Sequence, residues 1–371
     1  MARIFTAGME LGDYFADGFT NYQGTLDPAR TSRVVPTSPG GNGGSYSLYL
    51  LNNNGVQHDI SPVVPGGVDE FYFRCHINMG NRTDGTWERF RFMTAAGALL
   101  LRFATVDGGS GLSPGGLWYP RFYNSVGGII ADNILFTYHN HDWHLMETYV
   151  KFAGSGGRLK VWIDNEVVID YTGSLVGPAA ETQMSLFVPN YQIVTGGGPN
   201  STYYDDMAIN DLTGPTNNGR IGDGYVIRLV PSGNGSASQL TNPSSTSVDN
   251  FQFVNQLPRD SDQGFVAPAA VNGKDLYTMS APPAEFHGVN VIRMSASAVG
   301  HGAAITKLKM LLKPPVQAEL NEPVGVGVGL TLPVGSEEFI GVTFENNANT
   351  ANDPFTIAEL KGMESGVQFI A

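Results

Sequence analysis

The stretch VDEFYFRCHINM, Val68 to Met79, decides the fold class. Phe71, Phe73, Cys75, Ile77 and Met79 fall on one side of an extended chain, and Glu70, Tyr72, Arg74, His76 and Asn78 on the other. That period of two is what a half-buried β-strand requires. Cys75 therefore reads as a small core residue. Working outward, Arg89-Phe90-Arg91-Phe92 repeats the alternation, and residues 98–106 continue it with Leu99, Leu101 and Phe103 on one side. These are sheet segments with one wet face. Residues 158–171, RLKVWIDNEVVIDY, place Leu159, Val161 and Ile163 inward and Lys160 and Trp162 outward. Asp164-Asn165-Glu166 interrupts the run with residues that tolerate a turn, and Val167-Val168-Ile169 resumes it, which predicts a β-hairpin. The segment STYYDDMAIN, residues 201–210, closes the block as one more strand.

Composition agrees with an all-β class. Charged residues make up 15% of the chain, while Gly (47) and Pro (22) are both high. This suits short strands joined by tight turns, because Gly supplies positive φ and Pro fixes φ near −65°. A length of 371 residues is comfortable for two domains, each with its own core. The net charge of −13, with no basic run, disfavours a polyanionic partner such as nucleic acid. One cysteine excludes an internal disulfide framework and a Cys-based metal cage. No apolar stretch of about 20 residues is present, so membrane insertion is not expected. The opening residues hold no apolar core of a secretory signal either.

Residues 211–224, DLTGPTNNGRIGDG, are rich in Gly, Asn and Asp and mark the domain junction. The division expected is residues 1–212 as the first domain, 213–224 as a linker and 225–371 as a smaller β-sandwich for assembly or docking. Strands are expected there at 225–230, 251–257, 289–295 and 305–312, the last with Leu308, Met310 and Leu312 opposing Lys307 and Lys309. One short helix near the end follows from Thr356 and Glu359 at capping-box spacing, with Ile357, Leu360 and Met363 behind them. A final strand is expected at 367–371.

Taken together, WHLMETYVKF at 143–152, the hairpin GRLKVWIDNEVVIDYTG at 157–173 and YYDDMAIND at 203–211 resemble the concanavalin A-like, laminin-G-like jelly-roll superfamily. The opening ARIFTAGMELGD, the step from YYDDMAIND into GRIGDGYVIRLVPSGNG and the ending DPFTIAELKGMESGVQFIA look like tailed-bacteriophage virion proteins that carry such a jelly roll. The resemblance implies a two-sheet antiparallel sandwich for about residues 1–212. It also implies a tail or structural protein, assembled in the host cytoplasm before lysis. Its partners would then be other virion proteins and further copies of itself, with contact to host-surface carbohydrate.

Several residues are candidates for chemistry. The run HNHDWH, residues 139–144, places His139 and His141 on one face of a strand, where they could hold Zn or Ni with Asp142 or His144. Its alternative reading is a polar loop feeding a strand, with Trp143 at the core or its rim. Asp205, Asp206 and Asp211 could give oxygens to a Ca²⁺ ion, or cap a turn at a strand end. The adjacent acids Asp69-Glu70 and Asp205-Asp206 point to opposite faces of a strand and cannot cooperate on one glycosidic bond. No Gly-x-Ser-x-Gly and no phosphate loop is present. Trp118, Tyr119 and Arg121, with Tyr191, sit among glycines and suggest exposed aromatic contacts to sugar or to a neighbouring subunit. The function expected is a non-enzymatic virion component acting through its surface. A lectin-like carbohydrate-binding module is the alternative, and a glycan hydrolase stands behind both.

Overall fold

In a computed structural model the chain is nearly all β. Residues 3–8, 19–21, 31–36, 46–52, 60–79, 86–107, 117–133, 138–139, 142–195, 200–242, 249–255, 267–268, 270–284, 286–299, 306–322, 329–332, 334, 338–350 and 353–370 are described. They form two compact units, 1–226 and 227–371. None of their helices is long and apolar enough to cross a membrane.

The first unit is a sandwich of two antiparallel sheets. The first sheet runs in the order Glu166–Leu175, Ala153–Ile163, Trp143–Lys151, Glu70–Met79, Asn200–Asp211, Tyr46–Asn52 and Thr31–Pro36, with Arg3–Ala7 also pairing with Asn200–Asp211. The second runs Ile129–Asp132, Leu117–Asn124, Leu99–Asp107, Thr86–Met93, Met184–Thr195, Ile60–Val68 and Phe19–Asn21. Each sheet mixes runs of consecutive strands with non-consecutive neighbours, such as Glu70–Met79 between Trp143–Lys151 and Asn200–Asp211, as in a jelly roll.

The row read from Val68–Met79 is the centre of this core. Phe71, Phe73, Cys75, Ile77 and Met79 are all fully buried. Phe73 meets Phe187, Phe90 and Phe92 of the second sheet at ring-centroid distances of 4.5, 5.2 and 5.8 Å. The hairpin also forms as expected: Leu159, Val161 and Ile163 face inward, and Asp164 and Asn165 turn the chain at φ of 50° and 70°. Two consecutive positive φ values are the signature of the two-residue turn that matches strand twist.

Burial pushes the Cys75 thiol far above its usual range, against a small opposing pull from Arg74. A neutral thiol without solvent access is a poor nucleophile. Native protein should therefore resist a thiol-specific maleimide that labels it stoichiometrically in denaturant; rapid native labelling would contradict the packing of this row.

Arg89 departs from the alternation, which puts it on the wet side. The ladder slips between Glu88 and Phe90, and such a bulge re-aims the side chain. Arg89 is fully buried and donates to Thr105 Oγ1 at 2.8 Å and Thr202 Oγ1 at 2.5 Å, one residue from each sheet.

The second unit builds one larger sheet in the order Pro231–Ser238, Lys274–Met279, Glu364–Ile370, Lys307–Lys313 and Leu320–Glu322, with Leu330–Thr331 beside Lys307–Lys313. Leu308, Met310 and Leu312 of this sheet pack with Phe344, Leu360 and Met363, and with half-buried residues of the ribbon Ile292–Ala298/Glu338–Phe344. The helix Ile357–Leu360 carries the expected capping box between Thr356 and Glu359. Two expected strands are absent: residues 225–230 are irregular, and Asn250–Phe253 is a 3₁₀ turn. The final strand is Glu364–Ile370.

Residues 213–224, expected as a linker, lie within the first unit and pack on its first sheet. Arg220 Nε donates to Glu147 Oε2 at 2.6 Å, the Gly222 N–H to Glu147 Oε1 at 2.7 Å, and Asn210 Nδ2 to the Gly219 carbonyl at 3.1 Å. A polar, glycine-rich run need not be a free tether when a sheet face offers partners for its backbone.

Candidate functional site

The outer face of the first sheet carries the polar half of the Val68–Met79 alternation. His76 lies opposite Leu145 on one side and Asp205 on the other; Arg74 lies opposite Glu147 and Ala208. Between Asp205 and Ala208 the register shifts, and Asp206 adopts a φ of 50°. Alternation fails there, and the Asp206 carboxylate comes to His76, with Oδ2 3.1 Å from Nδ1. Its Oδ1 accepts the Val226 N–H at 2.6 Å, which fixes the chain following the polar segment.

Around this anchor lies a shallow depression of about 190 Å³, lined by His76, Trp143, Leu145, Asp164, Asn165, Asp223 and Tyr225. The Tyr225 ring stacks on His76 at 6.0 Å and an interplanar angle of 11°, leaving Tyr225 45% exposed. His76 Nε2 is 3.7 Å from Asp223 Oδ1. The hairpin turn forms another wall. Asp164 accepts the Leu145 N–H at 2.9 Å, and Asn165 Oδ1 accepts from Arg220 Nη2 at 2.6 Å. Arg74, beneath the segment, donates to the carbonyls of Asp206 and Gly222. Burial draws its guanidinium below the usual arginine value while Asp206, Glu147 and Asp223 pull it up.

Away from the depression the same face continues with aromatic and charged side chains. Tyr72 and Tyr149 lie 5.0 Å apart between ring centroids, and the guanidinium of Arg220 sits 4.9 Å above Trp162. The Tyr149 hydroxyl donates to Glu70. Burial together with Glu70 pushes that phenol well above its normal range.

The expected site residues are only partly brought together. Asp206 belongs to the anchor, but Asp205 accepts the Asp206 N–H at 2.8 Å, and Asp211 accepts the Thr213 N–H and hydroxyl as a turn cap. These three carboxylates do not form a Ca²⁺ cage, and among the described residues no three His, Cys, Asp or Glu side chains gather to hold a metal. Within HNHDWH, Trp143 lines the depression, while His144 turns inward beside Trp118 and Tyr138 and is held through Nδ1 by Asp164 Oδ2 at 2.7 Å. His139 is exposed on a short strand paired with Leu117; His141 lies outside the described residues.

Trp118, expected in a surface loop, is fully buried on the inner face of Leu117–Asn124. Its neighbours Tyr119 and Arg121 alternate to the outer face of the second sheet. There Arg121 donates to Asp132 at 2.9 Å and to the Tyr119 hydroxyl at 3.1 Å. They share no surface with the depression on the first sheet. The side chain of Tyr191 lies outside the described residues. Tyr225 and Asp223 escaped sequence reading because an irregular polar segment carries no periodicity; the one available signal was the aromatic residue closing it.

No protein-family model and no curated protein matches the chain. Solved structures of similar fold include the cellulose-induced protein Cip1, at 16% identity and a TM-score of 0.40, covering 59% of this chain and all of that one. The catalytic domain of a glycoside hydrolase family 131 protein from Coprinopsis cinerea is similar at 12% identity and a TM-score of 0.39, covering 61% and 100%. The CBM2 module of the evolved Dit protein of Lactobacillus casei BL23 phage J-1 is similar at 13% identity and a TM-score of 0.35, covering 56% and 95%.

Proposed function

We propose that the chain is a non-catalytic glycan-binding β-sandwich protein whose ligand face is the outer face of the first sheet. The observation that carries this reading is the depression walled by Tyr225 and Trp143, with Asp164, Asn165 and Asp223 at its edge. Sugar rings stack on aromatic faces and pair their hydroxyls with amides and carboxylates. A volume of about 190 Å³ is below the ~300–1,000 Å³ of drug-sized ligand sites. It matches one ring of a chain whose neighbours lie along the sheet.

Binding rather than cleavage is favoured because the buried acids of this face are already engaged. Asp206 is held by His76 and the Val226 N–H, and Glu147 by Arg220 and the Gly222 N–H. The setting we propose, on the sequence resemblance, is the exterior of a tailed-phage particle, in several copies, with the second unit as the docking part. Retention of the protein on purified particles tests that setting.

Tyr225→Ala tests the binding reading. Removing an exposed stacking ring should weaken binding to immobilised polysaccharides about 5- to 10-fold, on the scale of ~1–1.5 kcal/mol for an aromatic contact. Thermal stability should hardly change. Undiminished binding by this variant, or release of reducing ends by the wild-type protein, would overturn the proposal.

A further inference from the structure

The charge of the depression narrows the ligand class. Asp164 and Asp223 both line it, with side chains about half exposed or more, and Asp206 lies directly beneath His76. Two arginines beside it are committed elsewhere. Arg220 is held by Glu147 and Asn165 beside the Trp162 ring, and Arg74 is buried and spends its N–H groups on two backbone carbonyls. No Lys or Arg is among the lining residues. A carboxylate or sulfate entering here would meet Asp223 and Asp164, the latter paired with His144, and the nitrogen donor on the lining is His76, itself held by Asp206 and 3.7 Å from Asp223. A hydroxyl pair or an ammonium would meet acceptors and the electron-rich faces of Trp143 and Tyr225.

We infer that the depression selects neutral or amine-bearing sugar residues and rejects uronate and sulfated ones. This rests on the glycan-binding reading above. Like charges about 6 Å apart near a protein surface repel strongly enough to cost a tenfold or greater loss of affinity. The discrimination should shrink as salt screens it.

The test uses the full chain and matched polysaccharides: cellulose, β-1,3-glucan, mannan and galactan, each beside its C6-carboxylated derivative, together with chitosan. At low ionic strength, binding to at least one neutral member or to chitosan is expected. Any C6-carboxylated counterpart of a bound neutral glycan should bind at least ~10-fold more weakly. Asp223→Asn should narrow that ratio several-fold, and Tyr225→Ala should weaken binding of every bound member. Equal or tighter binding of a carboxylated member, lost on Tyr225→Ala, would overturn the inference while leaving the glycan reading intact. If no member of the panel binds, the glycan reading itself falls, and the inference with it.

Discussion

Replacing Phe73 with alanine is expected to destabilise the first unit by about 3–5 kcal/mol, the cost of a large aromatic lost from a close-packed core. The ring is fully buried at the point where the two sheets meet, against Phe90, Phe92 and Phe187. Neighbouring residues cannot close the void without leaving their own rotamers, so the cavity term adds to the lost transfer energy. For a unit of this size the calorimetric transition should fall on the order of 10 °C. Phe73→Leu, which keeps most of the volume, should cost far less. Equal effects of the two variants would mean that the aromatic cluster is not the packed centre of the sandwich.

The second large effect concerns Glu147. Its carboxylate is buried on the outer face and takes both the Arg220 guanidinium and the Gly222 N–H. Truncation to alanine leaves a half-buried cation and a backbone donor without their acceptor, a loss of about 1.5–3 kcal/mol for a charge-assisted bond. Because these bonds hold down the segment that presents Asp223 and Tyr225, the glycan binding proposed above should weaken about as far as for Tyr225→Ala. Glu147→Gln keeps one acceptor oxygen and should fall between. Titration calorimetry separates the three, and wild-type affinity in Glu147→Ala would show that the segment needs no such clamp.

The sandwich could be read from the sequence wherever burial alternates strictly. The row Phe71/Phe73/Cys75/Ile77/Met79 and the hairpin around Asp164-Asn165 lie as their patterns require. So does the Thr356/Glu359 cap, a local motif whose bonds close within one turn. Trp118 was legible too, because LWYPRFYN alternates Trp118, Pro120 and Phe122 against Tyr119, Arg121 and Tyr123. Flanking glycines drew attention to a loop instead. What was not legible depends on single-residue slips. The bulges at Arg89 and between Asp205 and Ala208 each reverse which face a charged side chain meets, and period-two reasoning fails at a register shift. The anchor His76–Asp206 exists because of the second of these. Likewise, a stretch rich in Gly, Asn and Asp gives no sign of which surface its backbone will settle on.

Tyr225 and Asp223 stand on irregular chain, whereas the hydrogen-bonded ladders beneath them are built from other residues. Variation in such surface-lying chain is tolerated far better than variation within paired strands. Related chains can therefore exchange the residues at these positions as an interchangeable cassette while the paired strands of the sandwich beneath stay unaltered.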